Sequence, residues 1–149
     1  MAKAHWYLGW IYCELLGETQ KGLVHFRAIT TQYPTVSMEL SSPVPWVSLV
    51  YPIKPTNKNL DIKIVKKHWA GIALLEIIRY APTPKEAINA FDILWNGYKN
   101  SVETGLALKL MLKKPSLAEH SRSHVPSFLA QNIANPYLAR EIQNLAADN

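Results

Sequence analysis

His120 and His124 have the residue types and spacing that best suit metal chemistry. They stand four positions apart with Glu119 beside them, so a helix would place both imidazoles on one face. Two imidazoles and a carboxylate are ligands that zinc accepts. A third and a fourth ligand are not evident nearby, however, and the intervening residues 121–123 are typical of a polar helix surface. We therefore favour a solvated helix face and predict no metal site and no cofactor.

Other groups that could carry out catalysis are isolated in the sequence. His5, His25 and His68 each lie on a segment rich in aromatic residues, which favours a partly buried, hydrogen-bonded imidazole. Cys13 is the single cysteine and has no cationic neighbour in sequence, so we expect a buried, unreactive thiol. Glycine-rich phosphate loops and hydrolase or metalloprotease motifs are absent. The sequence predicts no catalytic residues and favours a non-enzymatic protein.

Lysines cluster before and within a segment with helical periodicity, and the chain carries a net charge of +5. Three of them are spaced at i, i+3 and i+4, and aromatic residues follow, as in grooves that bind single-stranded nucleic acid. The solvated face of an amphipathic helix explains the same pattern, and we favour it. The candidate nucleic-acid-binding residues are Lys54, Lys58, Lys63, Lys66, Lys67 and Trp69.

Aromatic residues are concentrated at the N-terminus. Four large rings occur within seven residues, which is more than one buried helix face requires. Aromatic side chains in excess of the needs of a core are typical of protein–protein interfaces. The predicted interface residues are Trp6, Tyr7, Trp10 and Tyr12, together with Trp46 in a proline-rich segment.

The helices that must position these residues have clear start signals. Thr83-Pro84-Lys85-Glu86 is a capping box with proline at the first helical position. The segments beginning at Asn100 and Ser116 repeat the pattern, and Asn135 precedes a first-turn proline. Apolar periodicity then predicts seven helices, at about 4–16, 19–33, 61–80, 84–98, 101–113, 117–132 and 136–147. Pro126 is expected to break or kink the sixth.

The pattern predicts an all-α fold of antiparallel hairpins, arranged as a helical repeat or a compact bundle. We expect one domain over residues 1–149, with an N-terminal hairpin at 4–34 and a C-terminal helical part at 61–147. Four prolines make residues 41–59 a long connecting loop.

The stretch from His5 to Pro34 resembles a tetratricopeptide repeat. Leu8-Gly9-x2-Tyr12 matches the first-helix pattern, Gly22 takes the place of the small residue four before Phe26, and Pro34 occupies the closing position. We expect the paired helices to approach closely at Gly9 and Gly22. Trp6 lies one position late, and one extra residue separates the two helices. A weaker echo covers residues 69–91, where Glu76 replaces the tyrosine.

The resemblance implies a helical stack that presents a surface to a protein partner. Our first functional prediction is therefore a non-catalytic interaction or assembly subunit. The alternative is a small helical nucleic-acid-binding subunit of a ribonucleoprotein, which resembles the small subunits of CRISPR effector complexes in size and charge only.

The N-terminal segment lacks the charged and uninterrupted apolar regions of a signal peptide, because Glu14 interrupts its apolar run. The most apolar helical window, at residues 69–78, is too short to span a bilayer and contains Glu76. A single cysteine also gives no indication of an oxidising compartment. We predict a cytoplasmic protein without a membrane partner.

Overall fold

The computed structural model describes residues 1–40, 65–98, 101–131 and 135–147, and the fold within them is all-α. Apart from one pair of short strands, these residues form helices. The elements are α1 (Ala2–Trp10), a π-helical turn that continues it (Ile11–Leu15), α2 (Thr19–Gln32), β1 (Ser37–Leu40), β2 (Val65–His68), α3 (Trp69–Tyr80), α4 (Pro84–Gly97), α5 (Val102–Leu112), α6 (Pro115–Arg122), α7 (Val125–Leu129) and α8 (Pro136–Ala147). The predicted proline-rich loop at 41–59 lies outside the described residues.

Two of the predicted helix caps are confirmed. The side-chain oxygen of Thr83 accepts a hydrogen bond from the Glu86 backbone N–H at the start of α4. Asn135 Oδ1 accepts from the backbone N–H groups of Tyr137 and Leu138 at the start of α8. Each cap gives a partner to backbone donors that have none within the helix.

The other two predicted starts are displaced, that of α5 by one position and that of α6, which was predicted at 117, by two. Ser101, one residue after the predicted Asn100, caps α5 by accepting from the Thr104 backbone N–H. Helix α6 begins at Pro115, one residue before Ser116, and Lys114 precedes it without a side-chain cap. Proline suits the first helical turn because it needs no N–H partner there.

The prediction of a helix over residues 61–80 is wrong at its N-terminal end. Residues 65–68 form β2, which pairs antiparallel with β1 so that Ser37 lies opposite His68 and Leu40 lies opposite Val65. The helix begins only at Trp69. The spacing of apolar residues in a short segment gives no information about a strand partner that is distant in sequence. The pairing of β1 with β2 was therefore not predicted.

Pro126 divides the predicted sixth helix, as expected. The structure has α6 ending at Arg122 and a short α7 beginning at Val125, with Pro126 in its first turn. Proline there lacks the N–H that a continuous helix would bond to the preceding turn. The break gives eight α-helices among the described residues instead of seven.

Successive helices of the first half pack on one another. Helix α1 packs on α2, α2 on α3, and α3 on α4, while α5 packs on α3, α6 and α8. Glycine permits the first contact, since a Cβ at Gly9 would lie 2.6 Å from Phe26, and one at Gly22 would lie 2.7 Å from the Gly9 carbonyl oxygen. The prediction that Gly9 and Gly22 mark the close approach of two helices is confirmed.

A single cluster of buried apolar side chains connects these helices. Its fully buried members include Phe26, Ile78, Phe91, Leu108 and Ile142, which come from five different helices. No helix formed by the described residues combines the length and the apolar character that crossing a bilayer requires.

Candidate functional site

Three metal-ligating side chains meet where α4 lies beside α6. Asp92 comes from α4, His120 from α6, and His124 from the turn that leads into α7. One potential ligand atom from each residue lies within 4.8 Å of those of the other two, and all three side chains are partly buried. Among the described residues this is the one group of three such side chains close enough to share a metal ion.

Hydrogen bonds fix the orientation of the two imidazoles. His120 Nε2 lies 3.0 Å from Asp92 Oδ1. His124 Nδ1 lies 3.1 Å from the carbonyl oxygen of His120 and 3.1 Å from the hydroxyl of Ser123, whose own proton is donated to the same carbonyl. Because a carbonyl oxygen can only accept, a neutral His124 ring that makes this hydrogen bond has its proton on Nδ1 and a lone pair on Nε2.

Aromatic rings form one wall of this site. The edges of Phe91 and Trp95 meet the His124 ring, with ring centroids 5.1 Å and 4.7 Å away. Both rings come from α4, one residue before and three residues after Asp92, so one helix supplies the carboxylate and the apolar wall. An apolar wall lowers the local dielectric and strengthens electrostatic interactions within the site.

The sequence identified the two histidines of this group but not its carboxylate. Asp92 lies 28 residues before His120, and no motif connects them. Glu119, which the sequence suggested, is exposed and outside the group, because adjacent residues on a helix point about 100° apart. Asp92 was therefore missed for want of any local signal.

Of the predicted nucleic-acid-binding residues, the structure describes the contacts of only two. Lys67 Nζ forms an ion pair of 2.8 Å with Glu103 of α5, and both side chains are about nine-tenths buried. Trp69 is partly buried, with its ring centroid 6.3 Å from that of Trp6. Lys66 lies on β2, where the predicted i, i+3, i+4 helical spacing does not apply. Lys54, Lys58 and Lys63 lie outside the described residues.

The predicted interface residues separate into two sets. Tyr7 and Trp10 are exposed, at 49% and 38%. Trp6 packs against the core, and its buried Nε1 has no hydrogen-bond partner among the described residues, while the Tyr12 ring stacks on that of His25 with centroids 5.7 Å apart. Trp46 lies outside the described residues. Only the first set is available on the outer side of α1.

The remaining histidines contact neighbouring rings; His5 and His25 are partly buried and hydrogen-bonded as predicted, whereas His68 is exposed, contrary to the prediction. His5 and His25 bring their Nδ1 atoms within 3.1 Å of each other, and the His68 ring packs on Tyr98. Burial, followed by the proximity of His5, lowers the pKa of His25 below its ordinary value. The His5–His25 pair has no third ligand among the described residues, so it does not resemble a metal site.

A buried acidic group lies beside the single thiol. Cys13 is buried as predicted, and burial, followed by the nearby charges of Glu76 and Glu14, raises its pKa. Burial also raises the pKa of Glu76, although Arg79 opposes that shift from 3.4 Å. A thiol with a raised pKa is a poor nucleophile at neutral pH. These groups therefore give no indication of a catalytic cysteine.

Comparison of the chain with protein-family models, with curated proteins and with solved structures finds no match. The tetratricopeptide-like resemblance of residues 5–34 consequently stays a prediction. The assignment of residues 1–149 to one domain also stays a prediction.

Proposed function

We propose that this protein is a non-catalytic interaction subunit that binds a protein partner through the outer face of α1. The observation that carries this proposal is a set of exposed apolar side chains, which we call the α1 face. It consists of Tyr7, Leu8 and Trp10 of α1 and of Leu15 in the π-helical turn that continues it, and these side chains are 38–64% exposed. Exposed apolar residues gathered on one helix are typical of a surface that another protein covers.

The position of α1 in the stack supports this proposal. Helix α1 packs on α2 and, to a smaller extent, on α3, and Gly9 faces Phe26 on the inner side. In helical stacks, apolar surface on the outer side of a helix must be covered for the protein to stay in solution. The α1 face is largely apolar, so we infer that a partner helix packs there. The tetratricopeptide-like pattern of this hairpin agrees with such an arrangement.

The composition of the α1 face also suits protein recognition. Tyr and Trp carry a large share of the binding energy in many interfaces. Charged residues lie at its edge, with Lys3 Nζ 5.9 Å from the centre of the Tyr7 ring and Glu14 bonded to the Tyr80 hydroxyl. An apolar centre with a polar rim is the usual anatomy of an interface.

Nucleic-acid binding is the alternative, and three of the described lysines favour it less because they are bonded within the protein. Lys67 is paired with Glu103, Lys109 with Glu141 at 2.6 Å, and Lys114 donates to the carbonyl oxygens of Ile78 and Arg79. Lysines that neutralise phosphates must be free to do so. A cytoplasmic location, inferred from the lone cysteine, remains part of the proposal.

The test is affinity purification of the tagged full chain, comparing wild type with the double variant Tyr7→Ser/Trp10→Ser. We expect a stoichiometric protein partner to be lost from the variant, because each ring contributes about 2 kcal/mol or more at an interface centre. Binding to the purified partner should then weaken at least about 30-fold per ring.

Ile93→Ser/Tyr137→Ser is the matched control, since it removes two side chains that are 57% and 62% exposed on other helices. Circular dichroism must show unchanged helicity in both variants. Retention of the same partner by the α1 variant would contradict the proposal. Release of the partner by nuclease treatment would favour the nucleic-acid alternative instead.

A further inference from the structure

We propose that Asp92, His120 and His124 form a site for a divalent transition-metal ion of the zinc class. Two neutral imidazoles and one carboxylate form the donor set of several zinc and non-haem iron sites. In such sites, three protein ligands leave the remaining coordination positions to water or to an external ligand. Neither the α1 face nor its partner is involved, so this inference is independent of the proposed function.

The separation of the ligand atoms fits a shared ion. Atoms bound at about 2.1 Å to one metal lie about 3.0 Å apart at octahedral angles and about 3.4 Å apart at tetrahedral angles. His120 Nε2 and Asp92 Oδ1 are already 3.0 Å apart. The ligand atom of His124 lies within 4.8 Å of the other two, so small movements of the Asp92 and His120 side chains would complete the set while the His124 hydrogen bond is kept.

The orientation of His124 is the one that metal ligation requires. A ligating histidine usually donates its other ring N–H to a carbonyl or carboxylate group, which fixes the tautomer. Here Nδ1–H donates to the His120 carbonyl oxygen at 3.1 Å, and Nε2 keeps its lone pair for the ion. At His120, an ion would take the place of the proton that Nε2 now donates to Asp92.

Binding would join elements that the sequence separates. The carboxylate is fixed on α4, whereas the histidines lie at either end of the turn that Pro126 helps to impose between α6 and α7. An ion held by all three residues would resist separation of these helices. Because it binds the folded chain and not the unfolded one, it would raise the melting temperature.

The test is isothermal titration of the chelator-treated full chain with Zn²⁺, followed by thermal unfolding with and without the ion. We expect one ion per chain, and a rise in melting temperature of roughly 5–10 °C at a free Zn²⁺ concentration near 100 times Kd. The variants His124→Gln and Asp92→Asn should each weaken binding at least about 100-fold, because each removes a direct ligand.

His5→Gln is the matched control, since it removes one ring from the other close histidine pair, His5 and His25. Its affinity for Zn²⁺ should equal that of the wild type. A second measurement is the quenching of Trp95 fluorescence by Co²⁺, because the centroid of this ring lies 4.7 Å from that of His124. The Trp95 contribution is obtained by subtracting the fluorescence of the variant Trp95→Phe.

Asp92→Asn is nearly isosteric, so it keeps the comparison valid if the histidine variant unfolds. Absence of Zn²⁺ binding by the wild type at micromolar concentrations would overturn the proposal. So would a wild-type affinity in Asp92→Asn, or a loss of binding in His5→Gln.

Discussion

Replacement of Lys67 by methionine tests whether this lysine serves the fold or a ligand. The sequence placed Lys67 among the candidate nucleic-acid-binding residues, whereas the structure pairs it with Glu103. Their side chains are only 11% and 10% exposed, and the bond between them joins β2 to α5. Methionine keeps much of the apolar stem and removes the charge.

The expected loss of stability follows from the carboxylate that remains. Breaking a buried ion pair by removing one partner costs about 3–5 kcal/mol, since the other charge stays buried without compensation. For Lys67→Met we expect a loss of about 3 kcal/mol in the free energy of unfolding, at the lower end of this range. The Glu103 side chain is still 10% exposed, and it lies in the first turn of α5, where the helix dipole favours an anion. For a chain of this length, that loss lowers the melting temperature by roughly 6–12 °C.

The assay is urea unfolding followed by circular dichroism, in a cycle with Glu103→Leu and the double variant. The double variant should regain at least about 1.5 kcal/mol relative to the sum of the single changes, because it buries no unpaired charge. Lys109→Met is the matched control, since its partner Glu141 is 54% exposed and should lose less than about 1 kcal/mol. If Lys67→Met also cost less than about 1 kcal/mol, the pair would not be structural and this argument would fail.

Two further predictions concern α2 and α3. Gly22→Ala should destabilise the chain by about 1–3 kcal/mol in urea unfolding, because its Cβ would lie 2.3 Å from Cys13 Sγ and 2.7 Å from a backbone oxygen. Gly97→Ala meets no atom within 4 Å and should be neutral or stabilising, so equal losses would disprove the close-packing argument. Glu76→Gln should stabilise the chain more at pH 8 than at pH 4: burial raises the pKa of Glu76 in the folded state, so wild-type stability falls as pH rises above the unfolded value. A difference in melting temperature that does not change with pH would refute this role of Glu76.

Local signals were sufficient to predict most of the helices. Thr83 and Asn135 cap their helices as expected, and Pro126 breaks the sixth, since capping and proline effects act within one turn. The glycine contact between α1 and α2 was also visible, because Gly9 and Gly22 lie in a pattern with recognisable spacing.

Contacts between distant segments could not be predicted in the same way. Strand β2 pairs with residues 37–40, which are distant from it in sequence. The apolar residues of this segment have helical spacing, so the sequence predicted a helix there instead. Asp92 joins the two histidines from another helix, although no spacing rule links residues on helices whose relative rotation is unknown. A single sequence determines helix ends better than it determines which helix faces meet.

Several basic side chains are used in ion pairs within the fold, although these pairs leave the net charge of +5 unchanged. Basic side chains repeatedly connect elements that are far apart in sequence: Arg27 of α2 contacts Glu86 of α4, and Lys109 of α5 contacts Glu141 of α8. A cation that already has a carboxylate partner releases fewer counterions when it meets a phosphate. The α1 face has a different character, since its apolar side chains are 38–64% exposed. This contrast between paired cations and exposed apolar side chains is the basis on which we propose a protein partner for this chain.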